Sequence, residues 1–303
     1  MVVSLASIRN QLLPGLLQIQ GEYKPIPPEW EGIFANKKAR YSQETALSVR
    51  YLGPASQKTE MGSITYDNNA GDRWKWTMEP IEAATGYVMS RKAIDDGLYK
   101  ANFRPANLGL LAAMRAFWQA QAANIFNTAT TYDSALGGDG VALLSTSHPY
   151  DGGTWANTHS TPLALNEASL IANAKLIRQE FRDEAGILQD VFPETLLVPV
   201  HLEDVAIRLT KTELRPGTAN NDVNVIPMLA GGVKGYRVMR YFTSNYRWFL
   251  TTTVKGLIHL TKTPFETDMD IDFDTKSMKV SAYERAGFFY CDPRCVVGEN
   301  ATS

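Results

Sequence analysis

The sequence predicts an α+β fold, and three observations carry that expectation. Residues 103–127 place Leu108, Leu111, Met114, Trp118, Ala122 and Ile125 at spacings of three and four, the pattern of one long amphipathic helix. From residue 193 onward, short β-type runs follow one another with turn residues between them. Helices and strands mix without the regular rhythm that builds a parallel sheet with crossover helices.

The chain has 303 residues, 44% of them hydrophobic and 20% charged, enough apolar material for a sizeable core. A formal net charge of -2 argues against a protein that coats nucleic acid by bulk electrostatics, because neutralising phosphates needs a basic surface. Residues 1–20 lack a basic start followed by a long apolar run, so neither a signal peptide nor a membrane span is expected. Cys291 and Cys295 have the spacing of neither a redox motif nor half a zinc site and read as reduced structural thiols.

Element by element, residues 1–50 read as an arm. Leu5, Ile8, Leu12 and Leu13 have helical spacing, Pro14-Gly15 breaks it, and Pro25, Pro27 and Pro28 enforce an extended path. Residues 51–90 read as a long β-hairpin: Ile64 and Tyr66 on one flank, a turn at residues 67–71, and Trp74, Trp76 and Met78 on the other. Lys58, Arg73 and Lys75 accompany the tryptophans, which suggests a surface covered by another chain. The alternative is that both indoles face the chain's own core.

The helix at 103–127 carries Pro105 in its first turn, where proline is tolerated. Thr128 to Pro162 is a long polar loop with a short strand at Val141–Leu144. A second helix starts at Asn166, an apt N-cap, and carries Leu170, Ala174, Ile177 and Phe181 before Gly186. Residues 195–200 form a buried strand and 202–209 a short helix. Strands are expected at 223–226, 236–242, 246–253, 257–261, 269–274 and 278–290.

Catalytic motifs are missing. No histidine pair has zinc-ligand spacing, and no nucleophile elbow or phosphate loop is present. His148, His159 and Asp151 share one loop, but a histidine satisfied within a turn is the plainer reading. No enzyme activity, metal or cofactor is expected. Asp268, Asp270, Asp272 and Asp274 alternate with apolar residues, so a strand there would place four carboxylates on one face. Such a row repels itself and needs relief by a divalent metal, by a neighbouring chain's cations or by solvent along an edge.

Five runs, in order, resemble segments of tailed-bacteriophage major capsid proteins. Gly138-Asp139-Gly140-Val141-Ala142-Leu143-Leu144-Ser145-Thr146-Ser147-His148-Pro149 is similar to their "DGxxLFSTxHP" segment after the long helix. Residues 193–199 resemble "PxxLLVPP", His201 to Lys211 the helix after it, residues 218–225 "TxxNDVNV", and residues 246–250 an aromatic "WYL" strand. The departures are Leu144 in place of Phe and Val200 in place of a second Pro. The resemblance spans about residues 40–295 and looks closest to the Mu-type major head subunits.

The resemblance implies the Hong Kong 97-like capsid fold. Residues 1–50 would be the N-terminal arm, 51–90 the extended E-loop hairpin, 91–186 the peripheral domain with its spine helix, 187–262 the axial domain, and 263–303 the return strands and C-terminus. It implies a shell protein that self-assembles into hexamers and pentamers of an icosahedral phage head enclosing double-stranded DNA. Assembly would take place in the bacterial host cytoplasm, with portal and scaffolding proteins, possible decoration proteins and no membrane. Any scaffolding function is expected on a separate protein or a cleaved segment. Lys58, Arg73, Trp74, Lys75, Trp76, Asp268, Asp270, Asp272 and Asp274 are the expected subunit-interface residues. Some relatives join a hairpin lysine to a neighbour's asparagine, and no Asn occurs between residues 246 and 299 to accept such a link. An encapsulin-like compartment shell, or a hydrolase built on the histidine loop, are the competing readings.

Overall fold

The computed structural model describes residues 18, 27–96, 99–212, 223–229 and 232–302. The helical spacing at residues 5–13, Pro14, Pro25, and residues 213–222 lie outside the described residues. In chain order the elements are β1 (Ala35–Lys38), β2 (Glu44–Arg50), β3 (Gly71–Met78), β4 (Ile81–Met89), α1 (Arg91–Asp95), α2 (Tyr99–Asn127), β5 (Gly137–Gly138), β6 (His148–Tyr150) and β7 (Gly153–Trp155). There follow α3 (Glu167–Glu180), β8 (Pro193–Val198), α4 (Glu203–Lys211), β9 (Gly235–Val238), β10 (Trp248–Thr252), β11 (Leu257–Ile271), β12 (Met278–Tyr290) and β13 (Val296–Glu299).

The first sheet has the order β1-β11-β12-β4. Its centre is the long antiparallel hairpin β11–β12, in register from Leu257↔Tyr290 to Ile271↔Met278. Strand β11 joins what the sequence suggests are two separate strands, because bulges between Thr261 and Glu266 absorb the break in alternation. Helix α2 packs on this sheet and buries Phe103, Asn107, Leu110, Met114, Trp118, Ala122 and Phe126, a stripe with steps of three and four. The stripe is rotated from the expected one, leaving Leu108, Leu111 and Ile125 half-buried at its flanks. At 29 residues the helix is about 43 Å long. It starts four residues earlier than expected, so Pro105 lies inside it rather than in its first turn. The Pro105 ring is exposed, which avoids a steric conflict with the sheet, although one backbone hydrogen bond is lost.

The second sheet, β13-β10-β8-β9, explains the continuous apolar runs. Leu196 and Val198 face one hydrophobic cluster while Leu197 faces the other. Trp248 and Leu250 divide from Phe249 in the same way, and Val297 from Val296. A sheet buried on both faces needs apolar residues at every position, so period-two alternation vanishes. Helices α3 and α4 supply Leu170, Ile177 and Ala206 to the outer cluster. Asn166 caps α3 as expected, accepting the Ser169 N–H at 2.8 Å in a reciprocal capping box. The helix ends at Glu180, one residue before Phe181, whose extended backbone turns its ring into the core.

Several expectations are corrected. The flank at residues 53–66 forms no strand; β3 pairs instead with β2, antiparallel from Glu44↔Met78 to Arg50↔Gly71. Residues 141–144 are irregular, and residues 226–228 form a 3₁₀ turn in place of a strand. The C-terminal strand β13 joins the sheet of β8 and β10 rather than that of β11 and β12.

Candidate assembly surface

Strands β2 and β3 form a ribbon, and the twenty residues between them leave the body as a loop. Its turn is at Thr59–Gly62, where the Gly62 N–H donates to the Thr59 carbonyl at 3.0 Å and Met61 adopts φ +60°. Tyr51, Leu52, Met61, Ile64 and Tyr66 are all exposed, Met61 to 99%. Ile64 and Tyr66 do alternate as in a strand, but among the described residues no strand pairs with them. A row of solvent-facing aromatic and aliphatic side chains on an extended loop has no reason to persist in a free monomer.

The base of this loop is clamped. Arg50, nearly buried, ion-pairs with Asp67 at 3.0 Å on the returning limb of the loop and with Asp151 on the body. Asp67 also accepts the backbone N–H groups of Asn69 and Gly53; these bonds, with Arg50, hold its carboxyl down at about pKa 2. Arg73 ion-pairs with Asp151 from the second strand, and Arg73 then Arg50 lower that carboxyl too. Glu184 accepts the Ser48 hydroxyl at 2.6 Å and pairs with Arg294 at 3.1 Å, tying the ribbon to the turns after α3 and before β13. The predicted turn at residues 67–71 is therefore this clamp rather than the tip of the hairpin.

These placements revise the expected interface residues. Trp76 is 2% exposed and packs in the subunit's own core, so it is withdrawn from the interface. Gly138 lies directly against its indole, and a Cβ there would approach Nε1 to 2.4 Å. Trp74 is half-buried, with the Arg73 guanidinium 4.8 Å above its ring. Arg73 thus spends its charge and its flat face within the subunit. Lys58 and Lys75 are exposed.

The aspartate row does not lie on one strand face. Asp268 and Asp270 point outward from β11, with Met269 buried between them. Asp272 and Asp274 fall in the β11–β12 turn. Asp272 ion-pairs with Lys279 and accepts the N–H groups of Thr275 and Asp274, which together hold its carboxyl at about pKa 2. Lys279 also faces Asp270 across the hairpin, so the relief for the row starts within the chain. Phe273 is on the outside, 82% exposed, with the Lys276 ammonium 4.0 Å above its ring.

The histidine loop is dispersed into three structural contacts. His148 donates from Nδ1 to Asp139 at 2.6 Å and stacks on Trp155, His159 meets buried Glu299 at 2.6 Å, and Asp151 is taken by the clamp. Among the described residues no group of three or more potential metal ligands converges. No described helix is long and apolar enough to cross a membrane. The family-like runs gain physical reasons here. Asp139 and His148 close one loop on itself. Asn157, fully buried, donates to the carbonyls of Leu143, Pro293 and Val296. Asn224 donates to the Leu209 and Thr212 carbonyls and so closes the end of α4. Isolated Asn residues in loops carry no spacing signal, and periodicity alone does not find them.

A two-core body that holds out an apolar loop on an ionic clamp is the form of a self-associating structural subunit. The chain belongs to the phage capsid protein family, whose model matches residues 80–298. Its fold is the Hong Kong 97-like capsid fold. The structure of Microbacterium phage Oxtober96 matches at 9% identity over 99% of both chains, with a TM-score of 0.57. The capsid of the native GTA particle matches at 13% identity over 91% of this chain and 90% of that one, with a TM-score of 0.54. A virus-like particle from Pyrococcus furiosus matches at 8% identity over 96% and 98%, with a TM-score of 0.52. At such identities the likeness is one of fold. No curated protein sequence matches the chain.

Proposed function

We propose that this capsid protein is the major shell subunit of a tailed-phage head, forming hexamers and pentamers around double-stranded DNA without an enzymatic role. The observation that carries the reading is the loop at residues 51–70, which exposes five large apolar side chains and is braced at its base for projection rather than for burial. In this reading the E-loop, expected over residues 51–90, ends with β3, since β4 pairs with β12 in the first sheet, and α2 is the spine helix. The sheet of β8, β9, β10 and β13 is the axial portion. Lys58, Trp74, Lys75, Asp268, Asp270 and Asp274 remain the interface residues, now joined by Met61 and Phe273. The near-neutral chain fits an inner surface that tolerates DNA without reading it. Portal and scaffolding proteins, assembly in the host cytoplasm and kinship with Mu-type heads belong to the same proposal. The family match favours a phage head over a cargo-holding compartment of the same fold.

The test is assembly of the expressed full chain. Electron micrographs are expected to show rings, shells or tubes, and light scattering a species far above 33.6 kDa. A monodisperse monomer at every concentration would refute the proposal.

A further inference from the structure

A net charge near zero conceals a polarised surface. Strand β1 is an edge of the first sheet and β9 an edge of the second. The chain links the two at Gly32, two residues before Phe34 and beside the Arg237 guanidinium of β9. Gly32 has φ +80°, and a Cβ there would come within 3.3 Å of Arg237 Nη2. Along this line Lys37, Lys38, Arg40 and Arg237 are exposed, as are Lys234 and Lys255 beside it, and half-buried Lys262 donates to the Arg40 carbonyl. Lys37 lies close enough to Cys291 for its charge to act on that thiol, and the thiol in turn contacts the Gly256 carbonyl next to Lys255. Three carboxylates accompany these seven cations. Glu194 is shared by Lys234 and Lys255, Glu44 accepts the backbone N–H groups of Arg40 and Tyr41, and Glu31 is exposed next to Gly32. At the margins Glu29 is taken by Arg240 and Asp292 by Arg294. Seven cations against three carboxylates leave a surplus of four on a chain whose net charge is -2. Among the described residues no carboxylate pairs with Lys37, Lys38 or Arg237.

The line opens into a small polar cleft of about 70 Å³, walled by Gly32, Thr195, Thr251, Thr252, Arg237 and Lys255, with Glu194 beside its lysine. That is room for roughly two water-sized groups, which suits the two free oxygens of a phosphate diester and excludes a base. We propose that this basic band is the face the subunit turns towards packaged duplex DNA, with one backbone phosphate seated in the cleft on Arg237 and further phosphates met by Lys37 and Lys38. The inference rests on the shell reading and adds to it which side of the subunit points inward. A strand rises about 3.3 Å per residue and each DNA strand carries one phosphate per about 3.4 Å of axis, so cations on an extended segment keep step with the phosphates. Charges without base-reading geometry bind any sequence alike. Edge lysines also deter strand pairing, but that role calls for no cleft. The competing anion is the aspartate row of a second copy, and that row is already relieved in part by Lys279 of its own subunit.

The experiment assembles full-length chain at low salt around a short mixed-sequence DNA duplex and measures the duplex that co-sediments with shells and resists nuclease. Parent shells are expected to protect it, while duplex added after assembly stays outside and is digested. Lys37→Glu, Lys38→Glu and Arg237→Glu together are expected to lower the protected duplex roughly tenfold at unchanged shell yield. Lys175→Glu, Arg178→Glu and Lys211→Glu, which change as many exposed cations on α3 and α4, are expected to leave it unchanged. Parent-like protection by the first variant, an equal loss in the second, or protection of duplex added to finished shells overturns the band and leaves the shell reading standing. So does a shell yield that falls with the first variant and returns when Asp268→Lys and Asp270→Lys are added, since the partner is then a second copy. A parent chain that forms no shells overturns the shell reading. In that case, or if the triple exchange prevents folding, duplex binding by unassembled full-length chain decides the band. Lys37→Gln, Lys38→Gln and Arg237→Gln are each expected to flatten the slope of log affinity against log salt by about one, and slopes equal to the parent's overturn it.

Discussion

Single side chains decide whether an aromatic serves the subunit or the shell. Trp74 and Trp76 are two residues apart on β3, and by period two they share a face, yet one is half-buried and the other almost wholly so. Trp76→Ala is expected to cost the subunit about 3–5 kcal/mol, read as a lowered denaturant midpoint, because the cavity opens inside a packed core. Trp74→Ala is expected to cost only about 1–2 kcal/mol, the loss of a partly covered ring and its stacked guanidinium. Equal losses would mean that the two indoles share one environment.

His259 makes a second residue-scale prediction. Its ring lies against Trp30 and Phe288, with centroids 4.4 and 4.6 Å away, and donates from Nδ1 to Asn36 at 2.9 Å. Burial pushes its pKa down from 6.5 to about 4. A folded pKa below the unfolded one means that the unfolded chain takes up the proton first, so stability falls as pH drops from 6.5 towards about 4. His259→Phe is expected to flatten the slope of melting temperature against pH in that window relative to the parent chain. An unchanged slope would show that the ring does not control it.

At the scale of elements, the loop's clamp separates local order from global stability. Asp67 has a carboxyl pKa depressed from 3.8 to about 2, so its contribution is present above 3.8 and is lost as pH falls through about 2. Asp67→Asn is expected to speed protease cleavage within residues 51–70 at neutral pH while leaving the melting of the body nearly unchanged. Parent chain is expected to show the same loosening only as pH falls below 3.8 towards about 2. If the variant's cleavage rate matches the parent's, the clamp does not hold the loop.

At the scale of the whole molecule, contacts between subunits are expected to be non-covalent. Residues 246–299 hold no asparagine to accept an isopeptide bond from Lys58, so boiled and reduced shells are expected to run as one band near 33.6 kDa. A ladder under reducing conditions would show a covalent link formed elsewhere. Exposed ionic contacts such as those of Asp270 are each worth roughly 0.2–1 kcal/mol and are screened by salt, so shells should loosen at high ionic strength.

Much of this protein is local and therefore legible in the chain. The α3 start at Asn166, the strand β12 from Met278 to Tyr290 and the buried Met114, Trp118 and Ala122 of the long helix follow from caps and periodicity within one element. The family, too, is written in short ordered runs, whose Asp139, His148 and Asn224 turn out to close loops and helix ends. The pairing partners were decided only in three dimensions. Alternation at Ile64 and Tyr66 suits a strand, but the strand that β3 pairs with is residues 44–50, because that is where a mate is available. Aspartates spaced two apart imply one face only while the strand continues, and the chain turns at Asp272. Val296 and Val297, for which the chain gives no strand expectation, close a sheet buried on both sides. Periodicity reports which residues avoid water; which neighbour covers them depends on contacts far apart in the sequence, and those only the tertiary structure sets.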